Sequence, residues 1–240
     1  MEKYTTDWLF EGKLSLLQPT QGYRYSMDPF VLCSQVPADC STDRILDVGC
    51  GCGIIPAILG HCFPQARITG VEIQTTLAGI AVKNVINNNL EETISIVNAD
   101  IKNFTPPQGE RFELVISNPP YKKHNTGRLN PDIQKAIARH EIAMDIQTLA
   151  AKADTLLGHG GRFMIIFPCE RLQDIEQAVQ TTSIHPEWIR YVHTGRQKTP
   201  KLVIFSGRKD ISITKRILPP IFVSPDNSAD MNFLPKRINP

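Results

Sequence analysis

The run Arg44-Ile45-Leu46-Asp47-Val48, passing directly into Gly49-Cys50-Gly51-Cys52-Gly53, narrows the possible folds more than any other stretch. Aliphatic residues with a single acid among them read as a buried strand, and residues 54–63 continue as an apolar helix. Glycines at alternate positions let the backbone turn sharply and leave no Cβ between chain and ligand. They do so at the carboxyl end of a strand, where doubly wound sheets bind their ligands. A dinucleotide fingerprint would place its third glycine at position 54, which is Ile54; the third glycine here is Gly53. Asp47, just ahead of the loop, repels phosphate and attracts ammonium. The loop therefore suits a cationic amino-acid group better than a pyrophosphate.

The strand-and-helix unit then recurs. Residues 66–72 form a strand ending in Glu72, followed by a helix with Leu77, Ile80, Ala81 and Val85 on one face. Residues 93–100 end in Asp100, with Ile101 next, and residues 112–117 deliver Asn118-Pro119-Pro120-Tyr121. Asp145 caps a further helix that the glycines of 158–161 end. Strands at 162–167, 187–192 and 201–206 follow, with a helix at 169–181 between the first two. Only residues 194–200 join the last pair, too few for a crossover helix, so those strands are expected to be antiparallel. The expected fold is α/β: a doubly wound, mostly parallel seven-stranded sheet with an antiparallel last strand. One domain spans residues 1–240, with a lead-in at 1–43, a core at 44–216 and an extended tail at 217–240. In the lead-in, Asp28-Pro29 reads as the start of a short helix. Tyr23 and Tyr25 just before it either pack beneath the core or cover a bound ligand.

Asp47, Glu72, Asp100 and Asn118 fall at the carboxyl ends of four successive core strands. Each alone has an ordinary explanation: Glu72 is an acid at a helix entry, and Asn-Pro-Pro-Tyr is a strand-to-loop turn. Their convergence on one edge favours a site. An acid ending the second strand can accept hydrogen bonds from both ribose hydroxyls of a nucleoside, and Asp100 can accept from an adenine amine with Ile101 against the ring. Pro119 and Pro120 lack an N–H and hold the corner extended. The Asn118 side-chain oxygen, the Pro119 carbonyl and the flat Tyr121 ring then suit a planar group bearing an NH₂.

Composition sets limits. Hydrophobic content of 41% and charged content of 21% are globular values. No apolar run reaches the roughly 18 residues of a membrane span. Residues 1–7 are polar and acidic rather than signal-like, so a cytoplasmic protein is expected. The six cysteines show no Cys-x-x-Cys pair; reduced thiols and no metal are expected, because Cys50 and Cys52 lack a second ligand pair. A net charge of +2 conceals the segment 190–216, where eight Lys or Arg stand against Asp210 alone. That segment is either a solvated face or the footprint of a polyanion; the basic stretch at 122–139 is longer than a plain connection, as functional or mobile loops are.

The motifs LDVGCGCG, the acids Glu72 and Asp100, and NPPY resemble the class I S-adenosylmethionine-dependent methyltransferases that act on planar amines or amides, over roughly residues 20–216. More narrowly, GYRYSMDPFVL, NPPY, ARHEIA (138–143) and PPIFV (219–223) resemble the bacterial tRNA1(Val) (adenine-N6) methyltransferases. The resemblance implies S-adenosyl-L-methionine as donor, its methionine part held by Asp47, Gly49, Gly51 and Gly53, its ribose by Glu72, and its adenine by Asp100 and Ile101. Asn118 borders both donor and target, and Asn118, Pro119, Pro120 and Tyr121 hold the target base. The implied partner is RNA, a tRNA anticodon loop, gripped by Tyr25, Lys122, Lys123, Arg128, Arg139, Arg196, Lys198 and Lys201; oligomeric state stays open. Cys50 and Cys52 depart from the Ser, Thr or Ala usual in such loops. Rival readings are a ribosomal-RNA guanine-N2 methyltransferase and a protein glutamine methyltransferase, for whose helical N-terminal domain the lead-in leaves little room. Outside the class stand a nicotinamide oxidoreductase, disfavoured by the glycine spacing, and a non-catalytic RNA-binding module, which has no need of the cofactor acids.

Overall fold

Aliphatic strands separated by amphipathic helices build a layered sheet, described in a computed structural model for residues 4–20, 24–38, 44–120, 145–195 and 198–223. The chain opens with β1 (Tyr4–Leu9), β2 (Leu14–Pro19) and α1 (Asp28–Cys33). The core follows as β3 (Arg44–Val48), α2 (Ile54–Cys62), β4 (Arg67–Glu72), α3 (Thr75–Asn87), β5 (Ile94–Asn98) and β6 (Phe112–Ser117). It ends with α4 (Ile146–Leu156), β7 (Leu157–Pro168), α5 (Leu172–Gln180), β8 (Ile184–His193), β9 (Leu202–Lys209) and β10 (Arg216–Phe222).

The main sheet has eight strands in the order β10-β8-β9-β7-β6-β3-β4-β5. From β5 to β7 all neighbours are parallel. β9 runs antiparallel between β7 and β8, as the short connection requires. The chain steps outward from β3 to β5 and then returns to β6 on the other side of β3. That reversal opens a crevice at the carboxyl ends of β3 and β6.

Alternation along the strands feeds both faces. Ile45, Leu114, Ile116 and Ile166 join one core with α1, α2 and β2. Leu46, Val48, Val115 and Ile165 join another with α4 and α5. Asp47 therefore shares the face of Ile45, and it is fully buried. A buried Glu187 sits at the register shift where β8 bulges against β9. It accepts from Arg162 of β7 at 3.1 Å and from Ser206 of β9 at 2.9 Å, tying the three strands around the antiparallel insertion.

Three features differ from expectation. The sheet has one strand more than the seven expected: residues 216–222, expected largely as the start of an extended tail, pair with β8 in parallel. Pro219 and Pro220 hide this in the sequence, but an edge strand tolerates prolines, and the register shifts between Leu218 and Ile221 to pass them. The lead-in contains a hairpin, β1 with β2. The glycines at 158–161 lie inside β7 rather than beyond the helix. A Cβ on Gly161 would stand 2.9 Å from the Gly158 oxygen, so the irregular pairing with β6 there admits only glycine.

Candidate active site

The glycine loop is hung on the end of β4. The N–H groups of Gly49 and Cys50 donate to Val71 O at 2.8 and 3.1 Å, and Gly51 N donates to Glu72 Oε2 at 2.9 Å. Gly49, Gly51 and Gly53 all have positive φ, at 75°, 57° and 82°. At Gly53 an added Cβ would also lie 3.0 Å from Ala81 Cβ, so strain and crowding both exclude a side chain there. Cys50 and Cys52 are small enough for their places: both are buried, and the Cys50 sulfur fills the space left by Gly70, whose Cβ would meet it at 2.9 Å. Burial pushes the Cys52 thiol up to about 12 and raises Cys50 well above its ordinary value, so neither is a nucleophile.

Behind the loop, neither carboxylate oxygen of Asp47 meets a hydrogen-bond partner among the described residues. Burial, and then the charge of Glu72, push its carboxyl well above the usual range. Glu72 is 1% exposed; besides Gly51, it accepts from Gln74 N at 2.8 Å, which fixes the corner leading into α3. Two buried acids thus face one loop, an arrangement that fits a ligand carrying positive charge.

Beyond β5, Asp100 accepts from Lys102 N at 2.9 Å, and Ile101 packs inward, 5% exposed. The side chain of Asn98 donates to Glu72 O at 2.8 Å and to Ile73 O, and it accepts from Thr75 Oγ1. It holds out Ile73, an aliphatic side chain 38% exposed on the same edge. On the other side of β3, the buried Ser117 hydroxyl donates to Val48 O at 2.7 Å, locking the end of β6 to the start of the glycine loop. Asn118, Pro119 and Pro120 leave the sheet from that locked point, with Pro119 buried and Asn118 and Pro120 partly exposed. Tyr121, Lys122, Lys123, Arg128 and Arg139 lie outside the described residues, as does Arg196.

Tyr25 packs against the cluster of Cys52, Leu77 and Ile80, and its hydroxyl donates to Asp7 Oδ2 at 2.9 Å. Burial and then that bond raise its phenol above the ordinary value. The ring packs beside Cys52 of the glycine loop and is itself only partly buried. Asn84 of α3, fully buried, does more. It accepts from Leu17 N at 2.7 Å and donates to Leu17 O at 3.0 Å and to Cys52 O at 2.8 Å. Asn88, one turn on, bonds Ser15 N and O at 2.8 and 2.7 Å.

The basic segment divides. The β8–β9 connection stands on the carboxyl edge, where Lys198 and Lys201 are exposed. Arg208 stands across from Arg162 at the opposite edge, Lys209 bonds Leu157 O at 3.2 Å, and Lys215 pairs with Glu176 at 2.8 Å. Lys209 and Lys215 are bound within the fold, and Arg208 stands at the edge away from the crevice. Ser117, Asn98, Asn84 and Ile73 were missed in the sequence. Short polar residues at strand ends were a signal for the first two, whereas Asn84 and Asn88 look like the solvated side of a helix. Among the described residues no group of three or more His, Cys, Asp or Glu is placed to hold a metal ion, and no helix is long and apolar enough to cross a membrane.

A sheet of this strand order, with a glycine loop after its first core strand and an acid ending the second, is the frame of a class I methyltransferase. The solved structure of a predicted O-methyltransferase from Agrobacterium tumefaciens shares that frame with a TM-score of 0.64 at 18% identity, over 89% of this chain and 95% of the other. The methyltransferase small domain family matches residues 29–185. A Porphyromonas gingivalis protein named tRNA1(Val) (adenine(37)-N6)-methyltransferase is 33% identical over 72% of this chain and 68% of its own length. One of the same name from a Flavobacteriaceae bacterium is 27% identical over 85% of this chain and 86% of its own. The chain belongs to the methyltransferase small domain family, and its methyl donor is S-adenosyl-L-methionine.

Proposed function

We propose that the chain methylates the exocyclic amine of an adenine in tRNA, an adenine of the anticodon loop. One observation supports the reading: the Asn118-Pro119-Pro120 corner is fastened through Ser117 to the end of β3, beside a partnerless buried acid, so that a target held at the corner would adjoin a donor held at the loop. The named activity of its relatives supports the choice of substrate. Asp47 would hold the ammonium of the donor, the N–H groups of the glycine loop its carboxylate, and Glu72 its ribose hydroxyls. Asp100 would take the adenine amine, with Ile73 and Ile101 as apolar surface for the ring. When bound, the donor supplies a methyl group activated by a sulfonium.

An adenine amine attacks poorly while its lone pair is conjugated with the ring. The Asn118 side-chain oxygen and the Pro119 carbonyl accept its two hydrogens, favour a pyramidal nitrogen and aim its lone pair; Tyr121 stacks on the base. These contacts strengthen as the nitrogen gains positive charge, which places their benefit in the transition state. An anticodon-loop base leaves its stack at lower cost than a duplex base. Incubation with labelled donor and total tRNA, followed by nucleoside analysis, should yield N6-methyladenosine in a single tRNA species. Label in guanosine, or in protein alone, would refute the assignment.

A further inference from the structure

The carboxyl edge runs on past the crevice to β10, where it ends in an aromatic pair. Phe222 lies directly across from His193, the last residue of β8, with ring centroids 5.0 Å apart and planes inclined by 34°. Phe222 is 46% exposed, although it ends a strand whose neighbours Ile221 and Val223 pack into the core. The pair is held firmly. Val223 N donates to His193 O at 2.8 Å, and His193 Nδ1 lies 2.7 Å from Lys198 O; a carbonyl only accepts, so Nδ1 carries the hydrogen. Lys198, Thr199 and Lys201 around it are exposed. Ile217, Pro219 and Pro220 are exposed farther back along β10, but at the end where the rings meet, the exposed groups of the adjoining connection are cationic and polar. Flat aromatic faces beside ammonium groups match single-stranded nucleic acid, whose bases stack while its phosphates pair with the cations.

The geometry points to a base-stacking platform, Phe222 supported by His193, that holds a nucleotide of the RNA substrate away from the methylated adenine. It rests on the RNA-methyltransferase reading above and adds a second point of grip. Four strand intervals separate β10 from β6, about 19 Å at a spacing of ~4.8 Å. At a rise of ~3.4 Å, that is about five or six nucleotides of stacked strand. Lys198, pinned through its carbonyl to His193, is carried with the platform.

Full-length Phe222→Leu and Phe222→Trp test this. Leucine keeps apolar bulk but loses the flat face, and tryptophan restores it. With total tRNA as substrate and a short fluorescein-labelled oligoadenylate as binding probe, Phe222→Leu should raise both KM and Kd about ten-fold. Its kcat, its donor affinity and the salt dependence of binding should stay unchanged, since no charge is lost. Phe222→Trp should bind as wild type or tighter. If Phe222→Leu matches wild type in KM and Kd while wild type methylates tRNA, the platform is refuted and the tRNA reading stands. If Phe222→Leu lowers only the melting temperature, Phe222 is a cap on the sheet edge and the platform is likewise refuted. If wild type methylates no RNA, the reading beneath it falls, and the platform falls with it.

Discussion

Asp47 is a carboxylate placed where no part of the described fold answers it. Its pKa is raised by burial and by Glu72, so the folded, donor-free protein holds that proton more tightly than the unfolded chain does. Stability from this group is therefore complete below the unfolded carboxyl pKa and is lost as pH rises through the elevated folded value. An ammonium bound beside Asp47 reverses the preference, and binding in that range should release a proton. Asp47→Asn is expected to leave the donor-free melting temperature at neutral pH unchanged or higher while weakening donor binding roughly ten- to hundred-fold, the scale of a charge-assisted hydrogen bond. Melting curves across pH and calorimetric titration with donor measure both; a less stable variant with normal affinity would contradict this account. Asn118→Ala should behave in the opposite way. Methyl transfer should fall at least a hundred-fold with donor affinity near wild type, and joint loss of the two would remove Asn118 from the chemistry.

Between helix and hairpin, the decisive contacts are made by Asn84 and Asn88. Spaced four apart, Asn84 within α3 and Asn88 capping its end, they present donor and acceptor pairs to the outer backbone of β2, so a helix stands in for a neighbouring strand. Asn84→Ala strands two Leu17 groups and the Cys52 carbonyl; denaturant unfolding should show a loss of about 2 to 4 kcal/mol. Because one of those groups belongs to the glycine loop, donor affinity should weaken too, while Asn88→Ala should affect stability alone. Strand ends at Asp47, Glu72 and Asn118 were legible in the sequence because aliphatic runs terminate in polar residues there, and the antiparallel β9 because its connection is short. The hairpin was not legible, since its partner is a pair of asparagines on a helix some 70 residues away, and neither composition nor period reports that. β10 was obscured by its own prolines. The bond from the Tyr25 hydroxyl to Asp7 was not legible either, since nothing in the sequence pairs the two.

At the scale of the whole molecule, the exposed cations Lys198 and Lys201 stand on the carboxyl edge of the sheet, where the proposed crevice lies. Lys198→Ala combined with Lys201→Ala should weaken tRNA binding and reduce the slope of log affinity against log salt by about one to two, one for each phosphate left without its cation. Arg208→Ala with Lys215→Ala, on groups that face away or pair within the fold, should leave the slope as it was. An equal effect from both pairs would mean that binding follows net charge rather than this edge. The dependence of the hairpin on α3 also bears on how the chain is made. β1 and β2 leave the ribosome before α3, yet the groups that secure β2 are not available until α3 has emerged and wound. The hairpin, made before its anchor, is thus the part that must wait, and the glycine loop reaches its final shape only when that earlier segment closes behind it.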